Sequence, residues 1–127
     1  MLIHIDPYSE KPIFEQLREA IVRGIASKQL AENEPLPSAR SLAADLGVNF
    51  HTVNKAYDAL RTGGYIIMNK RTTAVVAPMK THTAVPDALA ERLALCAAEA
   101  ICNGMDEKAF AAFCAESHRK LTGGTAE

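Results

Sequence analysis

Apolar residues recur at helical spacing in five stretches of the chain, and two short apolar runs lie among them. The first stretch begins at Pro12, which suits a first helical turn because its missing N–H is not needed there. Ile13, Leu17, Ala20, Ile21 and Ile25 form one stripe, with Glu15, Arg18, Glu19 and Arg23 largely off it. That pattern predicts an amphipathic helix to about Ser27 or Leu30. Gly24 costs such a helix roughly 1 kcal/mol relative to Ala, so its presence points to close packing. Residues 1–11 read as an extended lead-in punctuated by Pro7, and A-E-N-E-P-L-P (residues 31–37) as a connector whose two prolines prevent helix.

The stretch from Pro37 to Gly64 predicts two short helices joined by a tight turn. Ser38 can cap the first, since its hydroxyl can accept from a free amide of the first turn. Leu42, Ala43 and Leu46 share a face, and Gly47 follows where a left-handed residue ends a helix at little steric cost. Asn49 can cap the second helix, and Val48 with Val53 has the spacing of a hydrophobic staple. Val53, Ala56, Tyr57 and Leu60 form the buried face of that helix; Phe50, His51, Thr52, Asn54, Lys55 and Arg61 lie on the other. Tyr65–Met68 and Ala74–Ala77 read as two strands flanking the polar, basic N-K-R-T-T, and Pro78 ends the second. Two helices, then strand, basic tip and strand, outline a winged helix-turn-helix, in which the second helix lies in the major groove of DNA.

Residues 80–86 read as a linker, and the helical pattern resumes at Asp87. Leu89, Leu93, Cys96, Ala97 and Ala100 share a face as far as Asn103, and Gly104 closes that helix. Asp106 can cap the next, on which Phe110, Phe113, Cys114, Ser117 and Leu121 share a face. A hairpin of this size cannot bury its apolar face alone. The first domain is one candidate cover, and a second copy of the hairpin is the better one, because operator readers with this motif usually dimerise. The expected fold class is therefore mainly α (α+β): a winged helix-turn-helix domain over residues 1–80, then a two-helix dimerisation hairpin over residues 81–127.

Composition narrows the possibilities. The 127 residues are 48% hydrophobic and 23% charged, with a net charge of −1, ordinary for a soluble globular chain. No apolar run approaches the ~18 residues of a membrane span, and the N-terminus M-L-I-H-I-D-P-Y lacks the pattern of a signal peptide. A cytoplasmic protein with no membrane partner is expected. Residues 1–80 carry ten Lys/Arg against eight Asp/Glu, and residues 81–127 four against seven. Within 49–71, Lys55, Arg61, Lys70 and Arg71 face only Asp58, a local basic patch compatible with DNA binding. Cys96, Cys102 and Cys114 form no C-x-x-C and are expected to be reduced, small buried residues. His4, His82 and His118 lack metal-ligand spacing. With no phosphate loop, G-x-S-x-G or H-E-x-x-H, neither an enzyme nor a metal or other cofactor is expected.

The segment L-P-S-A-R-S-L-A-A-D-L-G-V-N-F-H-T-V-N-K-A-Y-D-A-L-R-T-G-G-Y-I closely resembles the winged helix-turn-helix signature of the GntR family of bacterial transcription regulators. P-I-F-E-Q-L-R-E-A-I-V-R-G-I looks like that family's first helix, and V-N-F-H-T-V-N-K-A-Y with a short helical tail is most similar to its YtrA-like subfamily. The resemblance implies a repressor-like homodimer that reads a two-fold symmetric double-stranded DNA operator, often at a transporter operon, with the C-terminal helices as dimerisation unit. It implies a base contact by Arg40 of P-S-x-R, and base and phosphate contacts by Asn49, Phe50, His51, Thr52 and Asn54. Two departures stand out: N-K-R-T-T has no wing-tip Gly, and Phe50 and Asn54 occupy positions that are often basic.

Each candidate has a plainer reading. Arg40 could pair with Asp45 on the surface instead of bonding guanine, and Ser38 caps whether or not it touches DNA. His51 and Thr52 could be solvated. Phe50 either contacts the groove or packs back on the turn. Lys55 suits phosphate, Tyr57 suits the core, and Lys70 and Arg71 suit phosphate or a solvated hairpin tip. Leu89, Leu93, Cys96, Phe110, Phe113 and Leu121 suit the dimer interface. The rival function is a winged helix used for protein contact without sequence-specific DNA binding. An effector is not identifiable; the tail is too short to enclose one, so it would sit between protomers or domains.

Overall fold

Residues 3–69, 73–80 and 84–123 are described by the structure, a computed structural model, and they fall into two units that divide between Met79 and Lys80. The lead-in is clipped to the first helix, α1 (Ile13–Ala26), by one side chain. Gln16 Oε1 accepts from the Asp6 amide at 2.8 Å, and Gln16 Nε2 donates to the carbonyls of Asp6 (3.0 Å) and Lys11 (2.9 Å). Lys11 donates to Glu19 at 2.7 Å, which holds that carboxyl below its ordinary range. These bonds bring Ile3 and Ile5 against the core.

α1 buries Leu17, Ile21, Gly24 and Ile25, and ends short of Ser27. The chain turns back at once: the Leu30 amide donates to the Gly24 carbonyl at 3.0 Å, and Lys28 takes a left-handed φ of 67°. A Cβ on Gly24 would lie 3.0 Å from Leu30 Cδ1, so the helix accepts a poor helix former to let Leu30 seat. This is the close packing that the sequence pointed to.

The connector does more than link. Leu36 donates to the Ala74 carbonyl at 2.8 Å, Val76 donates to the Glu34 carbonyl at 3.0 Å, and Asn33 donates to the Val76 carbonyl at 2.8 Å. Residues 33–36 thus lie antiparallel along β2 (Thr73–Val76), which pairs on its other side with β1 (Ile66–Asn69). Pro35 fits because Glu34 and Leu36 supply the bonds to β2 and no N–H is asked of the residue between them. The register is Ile66↔Val76, Ile67↔Val75, Met68↔Ala74 and Asn69↔Thr73. Both strands sit within one residue of the positions read from the sequence.

α2 (Ala39–Leu46) and α3 (Phe50–Thr62) follow the predicted caps. Ser38 Oγ accepts from the Ser41 amide at 3.1 Å, Gly47 is left-handed at φ 71°, and Asn49 Oδ1 accepts from the His51 amide at 2.7 Å. α3 packs against α1, α2 and β1, and Val53, Ala56, Tyr57 and Leu60 are its buried face, as the pattern predicts. Leu17, Ile21, Val53, Leu60, Ile66 and Val76 are the largest wholly buried side chains. Each stabilises the unit by about 1.5–3 kcal/mol through apolar burial. The Tyr57 hydroxyl donates to the Pro37 carbonyl at 2.7 Å, and burial pushes its pKa up to about 12.

The second unit holds α4 (Asp87–Cys102) and α5 (Glu107–Leu121). Gly104, at φ 89°, makes the turn, and Asp106 Oδ1 accepts from the Ala109 amide at 2.8 Å. No residue of either helix is buried. Cys96, Cys102 and Cys114 are exposed free thiols, which corrects the expectation that they are small buried residues. The physical reason is that a two-helix hairpin has too little chain to enclose its own apolar faces. Near the turn it forms an open cleft of about 200 Å³ lined by Ala97, Ala100, Ile101, Met105 and Phe110. The rest of both apolar faces stays open, with Leu93 46% and Phe113 66% exposed. Among the described residues, no helix is long and apolar enough to cross a membrane.

Tyr57→Phe tests the tie between α3 and Pro37. The variant should lose about 1–2 kcal/mol of stability in urea unfolding at pH 7, because a carbonyl loses its donor. The folded hydroxyl titrates near 12 against an ordinary 10.0, so its contribution is complete below pH 10 and disappears as pH rises towards 12. The alkaline fall in wild-type stability should therefore be shallower in Tyr57→Phe.

Candidate nucleic-acid interface

The first turns of α2 and α3 meet through side chains. Arg40 is exposed on the first turn of α2, and its guanidinium carbon lies 4.5 Å from the centre of the Phe50 ring. Phe50, the first residue of α3, is half-buried and packs against the core. His51 follows with its ring 5.5 Å from that of Phe50, tilted by 58°. Phe50 thus packs back on the turn and still forms part of the surface. The ion pairs among the described residues are Lys11–Glu19, Arg61–Asp58 and Arg119–Glu116, so Arg40 is not paired with Asp45.

Backbone geometry sets the rest of this corner. Asn49 spends its carboxamide oxygen on the helix cap, and the Thr52 amide donates to the Asn49 carbonyl at 3.0 Å. Ser38 likewise spends its hydroxyl on a cap. Both residues position neighbours that carry the free donors and the charge. Thr52 is half-buried, while His51, Asn54 and Lys55 are exposed.

Asn54 and Lys55 diverge. Lys55 turns towards α1, with Nζ 4.1 Å from the centre of the Phe14 ring. Asn54 faces the other way, into an open cleft of about 310 Å³ shared with Ser38, Arg61, Met68 and Thr73. Arg61 pairs with Asp58 three residues earlier and reaches Met68 Sδ at 3.9 Å. The basic patch read from the sequence is therefore smaller on the folded surface, because Asp58 neutralises Arg61 locally. Of its four cations Lys55 is left among the described residues, and Arg40, from α2, joins it on the folded surface. Lys70 and Arg71 lie outside the described residues.

Phe14 and Pro37 are the positions that sequence reasoning missed. Neither had a local signal, because Phe14 acts through Lys55 and Pro37 through Tyr57, 41 and 20 residues away along the chain. Leu89, Leu93 and Cys96 lie exposed on α4, and Phe113 lies exposed on α5; Phe110 and Leu121 are half-buried. These six residues are all in the second unit, apart from the α2–α3 corner in sequence. Among the described residues, no three His, Cys, Asp or Glu side chains are grouped to hold a metal ion.

A family model for bacterial regulatory proteins of the gntR family matches residues 13–76. The chain is 36% identical over 92 residues to the HTH-type transcriptional repressor YtrA of Bacillus subtilis, covering 61% of this chain and 68% of that protein. It is 34% identical over 64 residues to the HTH-type transcriptional regulator Rv1152 of Mycobacterium tuberculosis. That match covers 50% of this chain, which spans about half (53%) of that relative. Among solved structures, a transcriptional antiterminator from Listeria monocytogenes superposes with a TM-score of 0.82 at 27% identity, over 97% of this chain and 94% of that one. YtrA from Sulfolobus acidocaldarius, a GntR-family transcription factor, superposes at 0.61 and 31% identity, over 93% and 97%. The DNA-binding domain of AraR, solved with operator ORX1, superposes at 0.51 and 25% identity, over 61% and 95%.

The Asn49 cap sets where α3 begins, and so where Phe50 and His51 stand. Asn49→Ala should destabilise the first unit by about 1 kcal/mol, and Asn49→Asp should restore most of that loss. Thermal melting followed by circular dichroism at 222 nm measures both.

Proposed function

The chain belongs to the GntR family of bacterial regulatory proteins, and from that premise we propose that it represses transcription as a homodimer bound to a two-fold symmetric operator. It is a transcriptional regulator with a winged helix-turn-helix DNA-binding domain of that family. The proposal adds sequence-specific reading by Arg40 and the first turn of α3, pairing of two copies through α4 and α5, and action in the cytoplasm. A transporter operon is the proposed target.

One observation carries the reading of the site. α3 buries one face completely and keeps His51, Asn54 and Lys55 exposed on the other, beside the exposed Arg40. A helix with that division can enter a major groove without giving up its own packing. Arg40 supplies a forked donor suited to guanine O6 and N7. Lys55, with Lys70 and Arg71 of the wing, supplies phosphate contacts that position the head without reading sequence.

A single head carries little positive charge, so affinity needs a second head. The open apolar faces of α4 and α5 support pairing: Leu89, Leu93 and Phe113 are 40%, 46% and 66% exposed in one copy. Covering them in a dimer removes apolar surface from water and places two heads on one duplex at high effective concentration.

Two measurements test these assignments. Arg40→Ala should cost about 1–3 kcal/mol of binding to the operator and relax preference at one base pair per half-site. An equal loss on operator and scrambled duplex would make Arg40 a phosphate contact only. In the full chain, Leu93→Glu with Phe113→Glu should give a monomer in light scattering; a dimer would remove the hairpin from the assembly.

A further inference from the structure

We propose that Phe50 is the positioning residue for Arg40, and that the seated guanidinium, rather than the ring, is what addresses the base pair. This rests on the reading of the site given above. Arg40 stands in the first turn of α2, where the helix dipole disfavours a cation. None of the ion pairs or hydrogen bonds among the described residues uses it. What it does have is the Phe50 ring, 4.5 Å from its guanidinium carbon.

That ring is a fixed platform. Phe50 is held on one side by the core and starts α3 directly after the Asn49 cap, and the His51 ring stands against it at 5.5 Å. A cation–π contact uses the electron-rich face of the ring and none of the guanidinium N–H donors. The forked donors therefore stay available while the long side chain is confined. An exposed arginine without such a seat would have to give up rotamer freedom at the moment of binding. Phe50 removes part of that cost beforehand, and it ties the direction of Arg40 on α2 to the first turn of α3. The two helices then present one reader, with an aromatic residue acting through a cation on the neighbouring helix.

The test uses the full chain. Wild-type protein selects an enriched duplex from a random-sequence library, and fluorescence anisotropy compares that duplex with a scrambled one at fixed salt. Phe50→Leu should lower affinity for the enriched duplex by roughly two- to fivefold more than for the scrambled one, the size of an exposed cation–π contact. Phe50→Tyr, which keeps the ring, should retain the wild-type ratio. Added to Arg40→Ala, Phe50→Leu should produce no further loss of discrimination. A wild-type ratio in Phe50→Leu, or losses that multiply in the double variant, would overturn the proposal while leaving the DNA reading intact. Failure of the wild-type chain to enrich any sequence would overturn both. Should Phe50→Leu not fold, the Arg40 Nε–H proton of the wild-type chain decides: an upfield ring-current shift supports the seat, and a random-coil shift removes it.

Discussion

The bond from the Tyr57 hydroxyl to the Pro37 carbonyl, 2.7 Å long, is the constraint on which the rest of the head depends. Tyr57 belongs to the buried face of α3, together with Val53, Ala56 and Leu60. Apolar burial alone would hold α3 against the core but would tolerate small rotations and slides, since it has no direction. A buried hydroxyl must find a partner, and the carbonyl it finds immediately precedes the Ser38 cap of α2. The middle of α3 is thereby tied to the beginning of α2. With both helix starts capped, by Ser38 and Asn49, the guanidinium of Arg40 arrives over the ring of Phe50.

Charge on this surface is sparse and is held by aromatic rings. Arg40 lies over Phe50, Lys55 over Phe14, and Arg18 lies 5.9 Å from the centre of the Tyr65 ring. Each contact pairs a cation on a helix with a ring from another part of the chain, so the rings restrict the long side chains without neutralising them. Arg61 is the contrast, since its pairing with Asp58 removes it from the local excess of positive charge. Exposed pairs of that kind add little stability. The cations beside the polar face of α3 are thus few and restrained, an arrangement that favours direction over bulk attraction.

Most of the fold was legible in the sequence because its signals are local. A cap concerns residues two or three apart, and the buried stripe of a helix repeats within one turn. The Ser38, Asn49 and Asp106 caps, the left-handed Gly47, the helix end at Gly104 and the inner face of α3 were all readable for that reason. The connector is different. Its prolines excluded helix, yet nothing within residues 31–37 announced that Leu36 and Glu34 would bond to Ala74 and Val76. Pairing of that kind is decided by the partner strand some forty residues on. The cysteines failed for a related reason. Burial was inferred from residue type, but exposure depends on what covers the hairpin, and the hairpin's own helices leave Cys96, Cys102 and Cys114 exposed.

The sequence by itself determined where the helices begin, the caps of α2, α3 and α5, the division of α3 into an apolar and a polar face, and a family signature dense enough to name. These follow from spacing and backbone preference, which act over a few residues and survive any tertiary arrangement. Only the tertiary structure decided how the polar face is used. It set Arg40 on Phe50 rather than on Asp45, turned Lys55 to Phe14 and Asn54 to the opposite cleft, and spent Arg61 on Asp58. Side chains as long as Arg and Lys reach partners on other elements, and the packing of α3 against α1 and α2 selects which partners come within reach.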